Sequence, residues 1–173
     1  QARGELQALG IEVLTLVGDL QQLDTIPALV DDAVSGLGAI DILINNAGTT
    51  WGAPAEEHPD EAWHKVMNLN VNAPFFMARA VGRCCMIPRR RGKIINVASM
   101  LSFQGGVRVP SYTASKSGVM GITRLMANEW ASHGINVNAI APGYMATNNT
   151  AALRADEGRN AAILERIPAG RWG

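Results

Sequence analysis

Ile42-Leu43-Ile44-Asn45-Asn46-Ala47-Gly48 is a short apolar run that stops in a turn of asparagines and glycine. Ile42 to Ile44 lacks the apolar/polar alternation of a half-exposed strand, so it reads as a strand covered on both faces. The pattern recurs on either side. Ile11 to Val17 is apolar and rich in β-branched residues and ends at Gly18-Asp19. Lys93 to Ala98 runs into Ser99, and Ile135 to Ile140 is stopped by Pro142-Gly143. Helical stretches fill the gaps. Leu23 to Leu37 places Ile26, Leu29, Val30, Ala33 and Val34 at helical spacing. A long helix is expected from Pro59, with Asp60 and Glu61 near its positive end. Ser111, after Pro110, reads as the N-cap of a helix whose face carries Val119, Ile122, Leu125, Met126 and Trp130 and which ends at His133-Gly134. Strands that each precede a helix predict an α/β fold, a doubly wound parallel sheet in three layers. Ligands of such sheets bind beyond the carboxyl ends of the strands. Asp19, Asn45 to Gly48, Ser99 and Pro142-Gly143 all fall there.

The chain has 173 residues, which suits a single domain spanning 1–173. Lys+Arg and Asp+Glu are both 15, so no net field draws it to nucleic acid or to anionic membrane. Arg89-Arg90-Arg91 reads as a solvated loop. No run of about 18 apolar residues is present, so no membrane span is expected. Cys84 and Cys85 are neighbours and close no disulfide loop, and no Cys/His spacing suggests a metal. A reduced, cytoplasmic setting follows. His58, His64 and His133 have no partner spacing and read as structural.

The chemistry gathers on Ser99, Tyr112 and Lys116. Tyr112 and Lys116 are four apart on the expected helix, so they project from one face. An ammonium beside a phenol favours the phenolate, and a free phenol titrates near pH ~10 without such help. A tyrosine with its own lysine is therefore a candidate general acid/base, with Ser99 donating a hydrogen bond to the reacting oxygen. Pro74 lies four residues after Asn70 and has no N–H to give to the Asn70 carbonyl. That carbonyl is left to hold a water that relays protons, or Pro74 simply bends a packed helix.

Asn45-Asn46-Ala47-Gly48, Asn70, Ser99, Tyr112-Thr113-Ala114-Ser115-Lys116 and Pro142-Gly143 together resemble, in order and spacing, the short-chain dehydrogenases/reductases. The resemblance implies a Rossmann-like fold and a hydride exchanged with a nicotinamide cofactor. It implies Tyr112 as proton donor or acceptor, Ser99 as anchor of the substrate oxygen, Lys116 on the nicotinamide ribose, and Asn70 completing a catalytic tetrad. It further implies Asp19 and Leu20 at the adenine and Asn46, Ala47 and Gly48 at the cofactor ribose. Pro142, Gly143, Met145 and Thr147 would grip the carboxamide. Asp19 also reads as a cap for the next helix. The family's Gly-rich phosphate turn has no counterpart here, so the N-terminal βαβ unit and the final strand are expected to be absent from this chain and the domain incomplete.

Ser99 to Gly106, Arg108 to Tyr112, Ala141 to Thr150 and Arg166 to Gly173 resemble the 2-dehydro-3-deoxy-D-gluconate 5-dehydrogenases more narrowly. That implies NAD as cofactor, interconversion of 2,5-diketo-3-deoxygluconate and 2-keto-3-deoxygluconate in pectin-derived uronate breakdown, and a homotetramer. Arg108, in the loop between Ser99 and Tyr112, is a candidate to bind the substrate carboxylate. Asn148 and Asn149 are candidates for its hydroxyls, against the commoner job of turn or cap. Two alternatives stay open: a 3-oxoacyl-carrier-protein reductase or other sugar dehydrogenase of this fold, and a non-catalytic family member.

Overall fold

The structure is a computed structural model describing residues 2–173, apart from the side chain of Asn149. It divides into two compact units, Gln1–Ile140 and Ala141–Gly173. The first holds a parallel sheet ordered β1 (Ile42–Asn45), β2 (Gly92–Val97), β3 (Ile135–Ile140). Ile42 stands opposite Lys93, and Gly92 opposite Ile135. Parallel neighbours need long crossovers, which helices supply. These are α1 (Ala2–Ala8), α2 (Ile26–Leu37), α3 (Asp60–Met67), α4 (Ala73–Val81), α5 (Ile87–Arg89), α6 (Leu101–Gln104) and α7 (Pro110–Trp130). The Rossmann-like α/β class expected from the sequence is the class observed. No described helix is long and apolar enough to cross a membrane.

The core lies between the sheet and α2, α4 and α7. Ile26 and Val30 of α2, Ala78 and Val81 of α4, Met126 of α7, Ile94 of β2 and Ile135 and Val137 of β3 form one buried cluster. The opposite sheet face carries Ile42, Ile44 and Ile140, all more than half exposed. Each strand therefore alternates in burial although its sequence does not alternate in polarity. Within Gln1–Ile140 one sheet face is covered and the other open.

Ile11 to Val17 forms no strand. Strand propensity yields a strand only where a ladder partner exists, and here the run leans on α2 instead. Leu14 packs where Gly36 lacks a side chain, Leu29 covers Gly18, and Val17 is 99% exposed. Ser111 is not an N-cap. Pro110 takes the first helical position, where its fixed φ and missing N–H fit, so Val109 becomes the cap. Ser111 is then helical and fully buried, its hydroxyl without a protein partner. Asp19 closes a turn by accepting from the Gln21 N–H, and is not the N-cap of the turn and helix that follow. Leu125 is 48% exposed, roughly 120° around α7 from the buried Val119 and Met126.

The long helix expected from Pro59 is interrupted twice. Asn68–Asn72 and Gly82–Met86 are π-turns, in which Ala73 N–H reaches the Asn68 carbonyl and Ile87 N–H the Gly82 carbonyl. Arg89-Arg90-Arg91 is exposed but pinned, Arg89 to Asp41 at 2.9 Å and Arg90 to the Ser132 carbonyl. Gly134, at φ +69°, faces the Arg90 carbonyl so closely that a Cβ there would sit 2.5 Å from it.

The second unit holds a 3-10 turn at Asn148–Thr150, α8 (Ala151–Ala155) and α9 (Glu157–Leu164). Thr147 and Thr150 cap the turn reciprocally. Ala146 N–H donates to the Gly173 carbonyl, Gly173 N–H donates to the Tyr144 carbonyl, and Trp172 Nε1 donates to Asn160 Oδ1 at 2.8 Å.

Candidate active site

β1 and β2 end side by side, Asn45 opposite Asn96, so the segments that follow them leave from one edge of the sheet. Beneath that edge a polar ladder is buried. Asn45 Nδ2 donates to Asn96 Oδ1 at 2.8 Å, Asn96 Nδ2 to Thr123 Oγ1 at 2.9 Å, and Thr123 Oγ1 to the Val119 carbonyl at 2.7 Å. Asn45 also reaches the Pro74 carbonyl at 3.4 Å. Paired side chains of this kind lock β1, β2, α4 and α7 in register, because each orphaned member costs roughly 1–3 kcal/mol.

Above the ladder each of the four expected catalytic residues is held by its own hydrogen bonds, Lys116 to Val97, Ser99 to Leu101, Asn70 to Thr49 and Ser115, and the Tyr112 carbonyl to Ser115. Lys116, 5% exposed, donates from Nζ to the Val97 carbonyl at 2.6 Å, and its Nζ lies 5.7 Å from the Tyr112 ring centre. Burial pushes the Lys116 ammonium below its ordinary range by withdrawing water from the charged form. Ser99, 7% exposed, follows β2, and its Oγ accepts the Leu101 N–H at 3.2 Å. One of its two lone pairs is engaged, and its proton remains free to donate. Tyr112 is half-buried on the first turn of α7.

Asn70 is 1% exposed in the first π-turn. Its Oδ1 accepts the Thr49 N–H at 2.8 Å. Its Nδ2 donates to the Thr49 carbonyl at 2.9 Å and to Ser115 Oγ at 3.0 Å. Ser115 Oγ donates in turn to the Tyr112 carbonyl at 2.8 Å. Both amide protons are thus in structural use. A Cβ on Gly48 would lie 3.3 Å from Asn70 Oδ1 and 3.6 Å from Lys116 Nζ. The glycine makes room for these two side chains.

Leu20, Asn46 and Ala47 line a common cleft with Leu43, Ile44, Asn45, Leu69, Ala73, Pro74 and Met77; Asp19 directly precedes Leu20 in the chain and is not part of the lining. An apolar wall with exposed backbone at a strand end is the kind of surface an adenosine moiety fits. Arg108 is exposed and makes no side-chain hydrogen bond or ion pair among the described residues. It holds φ +62°, and its carbonyl accepts the Ala53 N–H at 2.9 Å. Pro142, Gly143, Met145, Thr147 and Asn148 lie in the second unit, where Met145 is 46% exposed and the Asn148 carbonyl accepts from Ala151. The side chain of Asn149 lies outside the described residues.

Ser102, Ser115 and Thr49 enter this network without having been singled out in the sequence. Ser115 had a signal, its place directly before Lys116, whereas Ser102 and Thr49 had none beyond lying near candidates. Elsewhere, Cys84 and Cys85 are free thiols with sulfurs 3.1 Å apart, and burial with the Cys85 contact pushes Cys84 up to about 11. No group of three metal-binding side chains occurs among the described residues.

This chain belongs to the short-chain dehydrogenase family, whose model matches residues 1–158, and is an oxidoreductase. It is 63% identical over 169 residues to the 2-dehydro-3-deoxy-D-gluconate 5-dehydrogenase of Escherichia coli (strain K12), which covers 98% of this chain and 67% of that relative. It is 43% identical to the gluconate 5-dehydrogenase of Gluconobacter oxydans (strain 621H), covering 99% and 67%. The solved gluconate 5-dehydrogenase from Burkholderia cenocepacia J2315, in complex with NADP and tartrate, is 36% identical with a TM-score of 0.93, covering 98% of this chain and 66% of that one. The chain thus spans about two thirds of the length of its relatives.

Proposed function

We propose that the protein interconverts a keto and a hydroxyl group on a sugar acid with NAD(H), the pair being 2,5-diketo-3-deoxygluconate and 2-keto-3-deoxygluconate. The observation that supports the chemistry is the buried Lys116 with its Nζ 5.7 Å from the Tyr112 ring centre, on the helix that packs beside the strand leading to Ser99. The likeness to enzymes named for gluconate substrates supports the substrate class. When bound, a nicotinamide cofactor would supply or remove the hydride. Leu20, Asn46 and Ala47 would hold the adenosine end with Asp19, and Lys116 the ribose. Pro142, Gly143, Met145 and Thr147 are assigned to the carboxamide by family resemblance.

The chain's own residues handle the proton. Ser99, oriented by the Leu101 N–H that its Oγ accepts, donates to the substrate oxygen and aligns it. The Tyr112 hydroxyl gives its proton to that oxygen in reduction and takes it back in oxidation. Lys116 has spent one N–H on Val97 and keeps two donors. Its desolvated ammonium releases a proton more easily than an exposed one, which suits it to refill Tyr112. Both Asn70 amide protons are used, so its part falls to its backbone carbonyl, which Pro74 cannot occupy; a water held there links Lys116 to solvent. Arg108, exposed and without an ion pair, takes the substrate carboxylate. Asn148 contacts a substrate hydroxyl. The active form is a cytoplasmic homotetramer, read out as mass by light scattering after size exclusion.

The test is NADH oxidation with 2,5-diketo-3-deoxygluconate, beside NADPH and beside an acetoacetyl thioester. Turnover of the sugar acid, lost at least about a hundredfold in Tyr112→Phe, is expected. Turnover of the thioester alone would discard the sugar acid and keep the chemistry; full activity in Tyr112→Phe would discard the chemistry.

A further inference from the structure

We infer that Ser102 is a positioning residue that sets the placement of Ser99 against Lys116. The inference rests on the proposed roles of those two residues. Ser102 lies in α6, which leaves β2 through Ser99, and its hydroxyl is used on both sides. Ser102 Oγ accepts the Ser99 N–H at 3.3 Å and donates to the Lys116 carbonyl at 2.8 Å. Two backbone contacts reinforce the bridge: Ser102 N–H donates to the Ser99 carbonyl at 3.0 Å, and Ser117 Oγ donates to the Ser102 carbonyl at 3.4 Å.

Ser99 and Lys116 belong to different elements, the end of β2 and the second turn of α7. Lys116 Nζ bonds Val97, two residues before Ser99. The Ser102 hydroxyl thus closes a ring: Ser99 backbone, Ser102 side chain, Lys116 backbone, Lys116 side chain, Val97 backbone. One end of the ring is the strand that carries the substrate-oxygen donor. The other is the helix turn that carries the proton source. Ser102 touches neither substrate nor cofactor in this arrangement, so it acts through its two partners. Only a residue with a short hydroxyl serves both bonds at once; alanine serves neither, and threonine keeps the oxygen.

The test is single-turnover NADH oxidation by the native protein, NADH bound first and 2,5-diketo-3-deoxygluconate in excess, followed by stopped flow. The rate constant reports the chemical step, while the amplitude reports the fraction of competent sites. For Ser102→Ala the rate constant should fall about ten- to a hundredfold with amplitude kept, the scale expected of a catalytic group displaced by up to an ångström. Ser102→Thr should recover it to within about threefold. An unchanged rate constant in Ser102→Ala, or a loss of amplitude alone, overturns the inference and assigns Ser102 to folding. Tyr112→Phe run beside it separates the two readings. If Tyr112→Phe is slow and Ser102→Ala is not, only the positioning role falls. If Tyr112→Phe is as fast as wild type, or the wild type leaves NADH unoxidised, the catalytic reading falls and this inference with it.

Discussion

Burial of Lys116 sets stability against chemistry at one side chain. Its folded titration point lies below the unfolded value of 10.5. Between the two the unfolded chain binds more protons, so stability rises with pH across that window. Lys116→Met should flatten that rise, raise Tm by a few degrees at pH 7, and abolish turnover; melts from pH 7 to 10 with assays alongside check all three. Arg108 carries a different tension, a φ of +62° that costs a non-glycine residue about 1–2 kcal/mol. Arg108→Gly removes the guanidinium and the strain together, whereas Arg108→Ala removes only the guanidinium. Both should raise the sugar-acid KM about tenfold or more, and Gly alone should raise Tm by about 2–4 °C. An unchanged KM in both rejects the carboxylate role. Gly48→Ala should slow turnover with little effect on Tm, since its Cβ presses on Asn70 Oδ1 and only touches Lys116 Nζ.

At the scale of elements, Pro74 and the π-turn before it form one device. Restoring an N–H with Pro74→Ala offers the Asn70 carbonyl an ordinary helical partner. Tm should hold or rise while kcat falls about tenfold, and a fall of both together would mark Pro74 as mere packing. The sequence made α2 and α7 legible because their apolar spacing matches helical geometry, and the sheet strands because short β-branched runs stop at turn residues, although their burial alternates where their polarity does not. It misled where context overrules pattern. Ile11 to Val17 has the residues of a strand and no neighbour to pair with. Ser111 looks like a cap until Pro110 claims the helix start. Neither π-turn leaves a mark in apolar spacing, because the polar residues that stabilise them, such as Asn70, are partnered from distant elements. The candidate site was legible because Tyr112 and Lys116 stand four apart on one helix and Ser99 at the end of a strand. Ser102 and Thr49 were not, because a serine or threonine shows its bond only when the chain brings both partners to it.

For the whole chain, equal numbers of acidic and basic residues put the isoelectric point near 7.0. Residues 1–173 also expose Ile42, Ile44 and Ile140 on one sheet face. With little net charge to keep copies apart, that face should drive association of this segment near neutral pH. Light scattering of the 1–173 segment should peak near pH 7 and fall by pH 9, and Ile44→Lys should lower the peak; scattering independent of both would mean the face is not what copies share. The two π-turns have a last consequence, in the history of the sequence rather than its chemistry. Each wide turn holds one residue more than an α-turn requires, so Asp60–Arg89 reads as an ordinary helix that has twice accepted a single-residue insertion. Such an insertion normally spins everything downstream by about 100°; absorbed in a bulge, it leaves the far side undisturbed. Relatives that lost the extra residue between 68 and 72 should therefore show a one-residue gap there, a straight helix, and no amide where Asn70 now holds Thr49 and Ser115.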